Sequence, residues 1–283
     1  MIKDKHKSAY ATLNCGDKDI NLSHKIVMAI LNITPDSFYD GGVNITEQTW
    51  LQKVEQHITD GAEIIDIGAV STRPGAKEVS QEEELERLIP VIKSISKHFP
   101  EIILSVDTFR SVVAHTVILE GVGMINDISG GTFDPDILPV TAKAGVPYIV
   151  MHIKGNPKNM QINPSYNDIT IEVMEFLNQQ TVKANQAGIK QIIWDPGFGF
   201  GKTSEHNYQL MKDLKLFKTA GHPLLVGISR KSMINTVLGT KPAEALNGTT
   251  VLNTYALLNG ADILRVHDVK EAVQAIKLIE MLA

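Results

Sequence analysis

One cysteine in 283 residues, Cys15, leaves no partner for an internal disulfide, and that scarcity fits a reducing compartment. Cys15 itself reads as an ordinary thiol near the N-terminus rather than a reactive one. Long hydrophobic runs are also missing. No window approaches the roughly 20 uninterrupted apolar residues of a membrane helix, and the opening MIKDKHKSAYATLNCGDKDINLS has no apolar core of the kind a secretory signal needs. Positive charge is not in excess: 27 Lys and Arg stand against 32 Asp and Glu, a net charge of −5. That balance argues against a general nucleic-acid binder, although a local basic pocket is compatible with it. No His/Cys cluster offers a closed zinc site, and no Ser–His–Asp set offers a nucleophile. No linker, low-complexity tract or composition break divides the chain. The expectation is a soluble cytoplasmic protein that binds neither nucleic acid nor membrane.

The composition that is present supports a large core: 43% hydrophobic and 21% charged residues. Short apolar runs recur at Ile26–Leu31, Glu63–Ile67, Ile102–Val106, Met124–Asn126, Pro147–Met151, Gln191–Trp194, Leu224–Gly227 and Asp262–Val266. They are near-continuous rather than alternating, as strands buried on both faces are. Between them lie helix-like segments such as Gln81–Lys97, Asn167–Ala187 and Ala243–Asn259, with apolar residues three and four apart. Gly188, Gly221 and Gly260 follow helical stretches where a left-handed residue would end them. Eight βα units without a break predict an α/β fold, a (β/α)8 TIM barrel formed as a single domain over residues 1–283. The open doubly wound sheet is the structural alternative. Within the extension 1–25, Ala11–Leu22 predicts a hairpin around Asn14–Asp17 that covers the barrel floor.

Unusual residues gather just after the strands, as NITPDSFYDGG, GAVSTRPGA, DTFR, NDISGG, MHIKGNP, DPGFGFGK, SRKS and RVHD. In a barrel these points converge on one mouth, where active sites are built. Each alone has a plain reading, because Asp107 or Asn126 can cap a helix and Gly-rich turns are common. Together they predict a functional mouth. Asp107, Asn126 and Asp195 suit the N–H and carbonyl edge of a flat polar heterocycle. Met151 suits one face of its ring and Arg265 the other. Asn32, Arg265 and His267 form a donor cluster for phosphate, with Ser71, Thr72 and Arg73 as a second anion candidate. Lys231 stands where a helix should begin, so its cation and the helix terminus would act on one ligand. Other residues have plainer readings. Asp66 is equally a buried structural acid or a support for the mouth. Phe198 and Phe200 are core or site, and His152 and His206 are ordinary histidines. Asp36 and Ser37 form a turn or part of a mobile first loop, and Glu82–Glu84 is a solvated helix start. Residues Asn32–Asn44 and Ala69–Val79 have few core anchors and are expected to be mobile without ligand.

At these loops the chain closely resembles the dihydropteroate synthase family, from about Ile26 to Val269. ILNITPDSFYDGG and GAEIIDIGAVSTRPGA are similar to the family's first two loop signatures, and DPGFGFGK, SRKS and RVHD to later ones. Two departures stand out: Ala69 and Val70 replace a usual Gly-Glu, and Lys154 stands where an Arg is common. The resemblance implies displacement of diphosphate from (7,8-dihydropterin-6-yl)methyl diphosphate by the amine of p-aminobenzoate, giving 7,8-dihydropteroate for folate synthesis. It assigns Asp107, Asn126, Met151, Asp195, Lys231 and Arg265 to the pterin, and Thr72, Arg73, Phe200, Lys231 and Ser232 to p-aminobenzoate. Asn32, Thr72, Arg265 and His267 would hold the diphosphate, with Mg2+ as cofactor on Asn32. Lys231, Asp195, Arg265 and His267 carry the chemistry, sulfonamides are expected to inhibit, and a homodimer is implied.

Two other functions are compatible with a pterin-binding barrel. A methyltetrahydrofolate:corrinoid methyltransferase would share the pterin contacts but has no need for STRPG and SRKS loops. A non-catalytic barrel that regulates a partner would have lost catalytic polar groups, for which only Val70 speaks. The loops present favour the synthase.

Overall fold

The computed structural model describes residues 11–34, 47–71 and 78–282. A hairpin comes first, with β1 (Thr12–Asn14) paired antiparallel to β2 (Asp19–Asn21). Its turn runs from Cys15 to Lys18, where the Cys15 N–H donates to the Lys18 carbonyl at 2.7 Å. That is one residue later than the sequence suggested. Strands and helices then alternate: β3 (Ile26–Asn32), α1 (Glu47–Thr59), β4 (Ile64–Gly68), α2 (Gln81–His98), β5 (Ile103–Asp107), α3 (Ser111–Leu119), β6 (Met124–Asp127) and α4 (Ile137–Ala144). The second half continues with β7 (Tyr148–Met151), α5 (Ile169–Ala187), β8 (Ile192–Asp195), α6 (Ser204–Lys212), α7 (Leu214–Phe217), β9 (Leu225–Val226), α8 (Ser232–Leu238), α9 (Leu246–Leu258), β10 (Ile263–Val266) and α10 (Val269–Glu280).

The eight strands from β3 onward are all parallel and pair in the order β8-β7-β6-β5-β4-β3-β10-β9. The first strand of the run thus lies between β4 and β10, which an open doubly wound sheet would also allow. Closure is decided at the remaining edge. Trp194 of β8 bridges to Leu224 just before β9, with its N–H on the Pro223 carbonyl at 2.9 Å. The sheet is therefore a barrel.

Helix ends follow local chemistry. The Asp168 carboxylate caps α5 by accepting from the Thr170 and Ile171 N–H groups, so the helix starts two residues after Asn167. Gly188 ends it in the left-handed region at φ 105°. Gly221 instead follows a single 3-10 turn, and Gly260 lies one residue beyond the cap of α9. The expected Ala243–Asn259 helix is split: Pro242–Glu244 forms a 3-10 turn, and α9 begins at Leu246. The Glu82–Glu84 run is a helix start, but Glu84 is not solvated. It is buried and paired with Arg110, where burial pushes its carboxyl up and Thr108 and Arg110 pull it back.

Alternation along each strand sorts side chains into two cores. Val27, Ile65, Leu104, Val150 and Leu264 face the helices, whereas Met28, Ile64, Ile103, Met124, Ile149, Ile193, Leu225 and Ile263 fill the barrel's lower interior. The hairpin's Leu13, Cys15 and Ile20 join that second cluster. It plugs the floor as expected. Burial pushes the Cys15 thiol up to about 12, consistent with a packing role. Leu13 has no exposed surface. Leu13→Ala should therefore cost about 2–5 kcal/mol of unfolding free energy, read by urea denaturation, while ligand affinity at the opposite end stays unchanged.

Candidate active site

Above the apolar floor, the inward positions become polar. On β4 the alternation places Asp66 inside, with no exposed surface. A buried carboxylate needs donors to offset lost hydration, and three converge on it. Ser105 Oγ of β5 donates at 2.6 Å, Asn126 Nδ2 of β6 at 3.0 Å and Arg265 Nε of β10 at 2.7 Å. The Arg265 guanidinium continues to Asp107 at 3.1 Å. Burial alone would lower Arg265, but Asp66 and Asp107 outweigh it and hold the guanidinium charged. Asp66 is thus the base of the mouth, and of the two readings its sequence position allowed, the support holds.

This platform orients the groups above it. Because Asp66 is an acceptor, the Asn126 amide must turn its nitrogen down and its oxygen up. Asn126 Oδ1 is then buried without a hydrogen-bond partner among the described residues, an acceptor aimed where a ligand N–H can satisfy it. Burial raises Asp107 to about 7 against the pull of Arg265, with Asp66 and Glu84 adding to the rise. Asp195, at the end of β8, accepts from the Gly197 N–H at 2.8 Å. Burial raises it too, opposed by Lys231, the Gly197 N–H and Arg265. Lys231 is lowered to about 8 by burial, with Asp195 opposing and Arg265 adding. Its amine donates to the Phe198 carbonyl and lies 4.7 Å from the centre of the Phe200 ring. Phe198 is core, without exposed surface, whereas Phe200 is partly buried beside Met151, Ile128, Ile153 and Met160.

His267 adds a neutral ring beside Arg265 and Arg230. Its backbone N–H donates to Ser229 Oγ at 3.2 Å, and that hydroxyl meets its Nδ1 at 3.0 Å. The Ser229 hydroxyl donates to Nδ1 or accepts from it according to the ring tautomer. Burial, then Arg230 and Arg265, pushes His267 down to about 3, so it waits neutral for an anion. Arg230, between Ser229 and Lys231, has a left-handed φ of 58° and is held by Asp268 through Nε at 3.1 Å and Nη2 at 2.5 Å. Lys231 is the N-cap of α8 and Ser232 its first, exposed residue. Asn32 ends β3, and its Oδ1 is 3.2 Å from where a Cβ on Gly68 would stand. Among the described residues no group of three His, Cys, Asp or Glu could hold a metal.

Thr72 and Arg73, with Asp36 and Ser37, lie outside the described residues. The ends of the second loop are described. Arg87 Nη1 donates to the Ala69 carbonyl at 2.9 Å and Arg110 Nη2 to the Val79 carbonyl at 2.7 Å. The mouth therefore brings together Asn32, Asp107, Asn126, Met151, Asp195, Phe200, Lys231, Arg265 and His267. Sequence reasoning did not single out Ser229, Arg230 or Lys202, which all act through residues it did name. Lys154 reaches the Ser165 carbonyl and Glu172, the latter at 3.5 Å. His206 caps α6 in a reciprocal pair with Thr203.

A closed barrel whose mouth sets buried carboxylates and an unsatisfied amide oxygen against an arginine, a lysine and a neutral histidine defines a binder of a flat, donor-rich heterocycle that carries an anion. Residues 28–267 match the pterin binding enzyme family, and the chain belongs to that family. It is 46% identical over 263 residues to the dihydropteroate synthase of Escherichia coli strain K12, covering 92% of this chain and 93% of that one. The Yersinia pestis dihydropteroate synthase, solved with a sulfonamide drug complex, superposes with a TM-score of 0.91 at 41% identity, over 96% of this chain and 98% of that one. The Xanthomonas albilineans enzyme solved with 4-aminobenzoic acid gives 0.90 at 37% identity, over the same shares.

The platform is testable without substrate. Asp66→Ala leaves Arg265 with Asp107 alone and strands the Ser105 and Asn126 donors, so it should lower stability by about 3–5 kcal/mol. Thermal unfolding of the ligand-free protein measures this. A loss below about 1 kcal/mol, as at an exposed pair, would contradict the role given to Asp66.

Proposed function

We infer that this chain works as a dihydropteroate synthase, displacing diphosphate from (7,8-dihydropterin-6-yl)methyl diphosphate with the amine of 4-aminobenzoate. The observation that carries this reading is the two-sided mouth built around one arginine. Asp107, the Asn126 oxygen and Asp195 accept, while Arg265, His267 and Lys231 donate. In this reading the pterin's N–H edge meets Asp107, Asn126 and Asp195, its ring lies between Met151 and Arg265, and Lys231 holds its carbonyl side. Arg265, His267 and Asn32 receive the diphosphate together with Thr72, and the 4-aminobenzoate rests against Phe200, Lys231 and Ser232 with Thr72 and Arg73. Asn32 would hold Mg2+, which would supply charge neutralisation for the leaving group.

The chemistry then follows from charge. The C–O bond between the pterin methylene and the diphosphate breaks, and its electron pair leaves on the diphosphate. Arg265 and His267 stabilise that charge. The methylene becomes cationic beside buried carboxylates, and the amine's lone pair forms the new C–N bond. The amine then loses a proton, which balances the reaction as dihydropteroate, diphosphate and H+. An aryl amine attacking a cation needs no activated nucleophile. Sulfonamides, with a similar aniline ring, would compete for the same surface.

The same reading places the protein in the cytoplasm as a homodimer. No helix among the described residues is long and apolar enough to cross a membrane. Val251, Tyr255 and Leu258 are exposed along one face of α9, an apolar strip that a second copy would cover. No alternative function gains from a specific contact.

Purified protein should form dihydropteroate only with both substrates and Mg2+. No dihydropteroate under any metal condition would refute the activity. Two variants separate the sides of the mouth. Asp195→Asn presents a donor to a donor and should weaken a bare pterin about ten- to a hundredfold, since hydrogen bonds to charged groups contribute about 1.5–3 kcal/mol. His267→Ala should leave bare pterin unaffected and weaken only the diphosphate-bearing substrate. Calorimetry of both variants with both ligands measures the division, and loss of bare pterin binding in His267→Ala would refute it.

A further inference from the structure

The segment from Gly197 to Gly201, after β8, has no regular structure, yet every one of its carbonyls accepts a side-chain donor. Gly197 O takes Lys202 Nζ at 2.8 Å, Phe198 O takes Lys231, and Gly199 O takes Gln161 Nε2 at 2.6 Å. Phe200 O takes Lys202 Nζ again at 3.1 Å, and Gly201 O takes the Tyr166 hydroxyl at 2.7 Å. Lys202 alone holds two of the five. Its amine also meets His152 Nδ1 at 2.8 Å and approaches the His152 carbonyl at 3.4 Å, which fastens this loop to the one after β7. The two loops touch backbone to backbone. A Cβ on Gly197 would stand 1.9 Å from the His152 carbonyl oxygen, and one on Gly201 2.5 Å from that of Lys154. At these close approaches there is no room for a side chain on the glycines, so donors to the carbonyls fasten the loops: Gln161 and Tyr166 from the loop after β7, and the buried amine of Lys202.

Lys202 is only 3% exposed and, among the described residues, forms no salt bridge with a carboxylate. Burial holds its amine well below the usual lysine range, Asp195 opposing. Burying a lysine without an ion pair is costly, and here the amine's contacts are loop carbonyls and a histidine nitrogen. We propose that Lys202 is a positioning residue: it clamps the Gly197–Gly201 loop so that the Phe198 carbonyl and Phe200 ring stay in place for Lys231. Asp107 and Asn126 sit on strands and do not depend on this clamp. The consequence for catalysis rests on the reading of Phe200 and Lys231 as the arylamine surface given above.

The test separates the clamp from that reading. In Lys202→Met, hydrogen exchange should quicken at the Gly197 and Gly199 amides, which donate to Asp195 at 2.8 Å and Asn207 at 2.7 Å. The KM for 4-aminobenzoate should rise by about tenfold, and because Lys231 and Asp195 also serve the pterin, bare pterin affinity should fall by a smaller factor. A merely structural role would instead lower the active fraction and leave KM unchanged. His152→Leu, which removes one acceptor and keeps the lysine, should shift exchange and KM in the same direction and serves if Lys202→Met does not fold. Unchanged exchange in the folded variant, or a loss of pterin affinity larger than the rise in the 4-aminobenzoate KM, overturns the clamp. Phe200→Ala is the control on the underlying reading. If it leaves the 4-aminobenzoate KM unchanged while exchange still quickens in Lys202→Met, the arylamine assignment falls and the clamp stands.

Discussion

A carboxylate with no exposed surface in the middle of a barrel must be surrounded by donors, and much of the mouth of this protein follows from that requirement at Asp66. The donors come from three other strands: Ser105 on β5, Asn126 on β6 and Arg265 on β10. Strand register alone would leave the upper positions free to choose rotamers. The shared carboxylate removes that choice, because a shift of any donor leaves a buried group unpaired. Asn126 is thereby left with an orphaned acceptor, and Arg265 is stretched between two acids. Among the described residues the site keeps polar capacity that is not satisfied, which is the form that preorganisation takes in a binding site.

The loop side of the mouth is organised by cations instead. Lys231 and Lys202 approach the loop after β8 and both donate to its carbonyls. They differ in what remains. Lys231 lies over the Phe200 ring within the field of Asp195 and Asp107, so it can exchange a protein contact for a ligand. Lys202 is enclosed, with His152 as its remaining partner. A loop rich in glycine can approach a ligand closely but has little packing to hold it, and fixed donors to its carbonyls replace that packing.

The barrel was legible in the sequence because strands buried on both faces read as apolar runs, and the eight proposed runs lie within one or two residues of the strands. β9 shrinks to Leu225–Val226, since its ends meet the bridge to β8 and the turn into Ser229. The mouth was legible because a structural chain has no reason to end strand after strand in Asp, Asn, Lys or His. What could not be read was hierarchy. Asp66 and Asp107 are both acids on neighbouring strands, and only the register, which pairs Asp66 with Ser105 and Gly68 with Asp107, puts one below the other. Glu84 looked solvated because its partner Arg110 lies 26 positions away. Lys202 sat inside a quoted motif without any local sign that its amine turns inward.

The second loop shows why a departure in sequence need not remove a structural element. The family resemblance implies Gly-Glu at the positions of Ala69 and Val70, and a missing carboxylate would matter if it anchored the loop. The anchors at both described ends are instead arginines on main-chain carbonyls: Arg87 on Ala69 and Arg110 on Val79. A carbonyl is the same whatever side chain its residue bears. Both arginines are themselves fixed by acids of α2, Arg87 by Glu83 at 2.5 Å and Arg110 by Glu84. Glu84 is held in turn by its burial against the barrel. The helix therefore grips the loop through its backbone, and the ends of that loop stay placed whichever residues occupy 69 and 70. Any effect of the lost carboxylate must then lie in what residue 70 presents to a ligand or to the loop's interior, rather than in where the loop begins and ends.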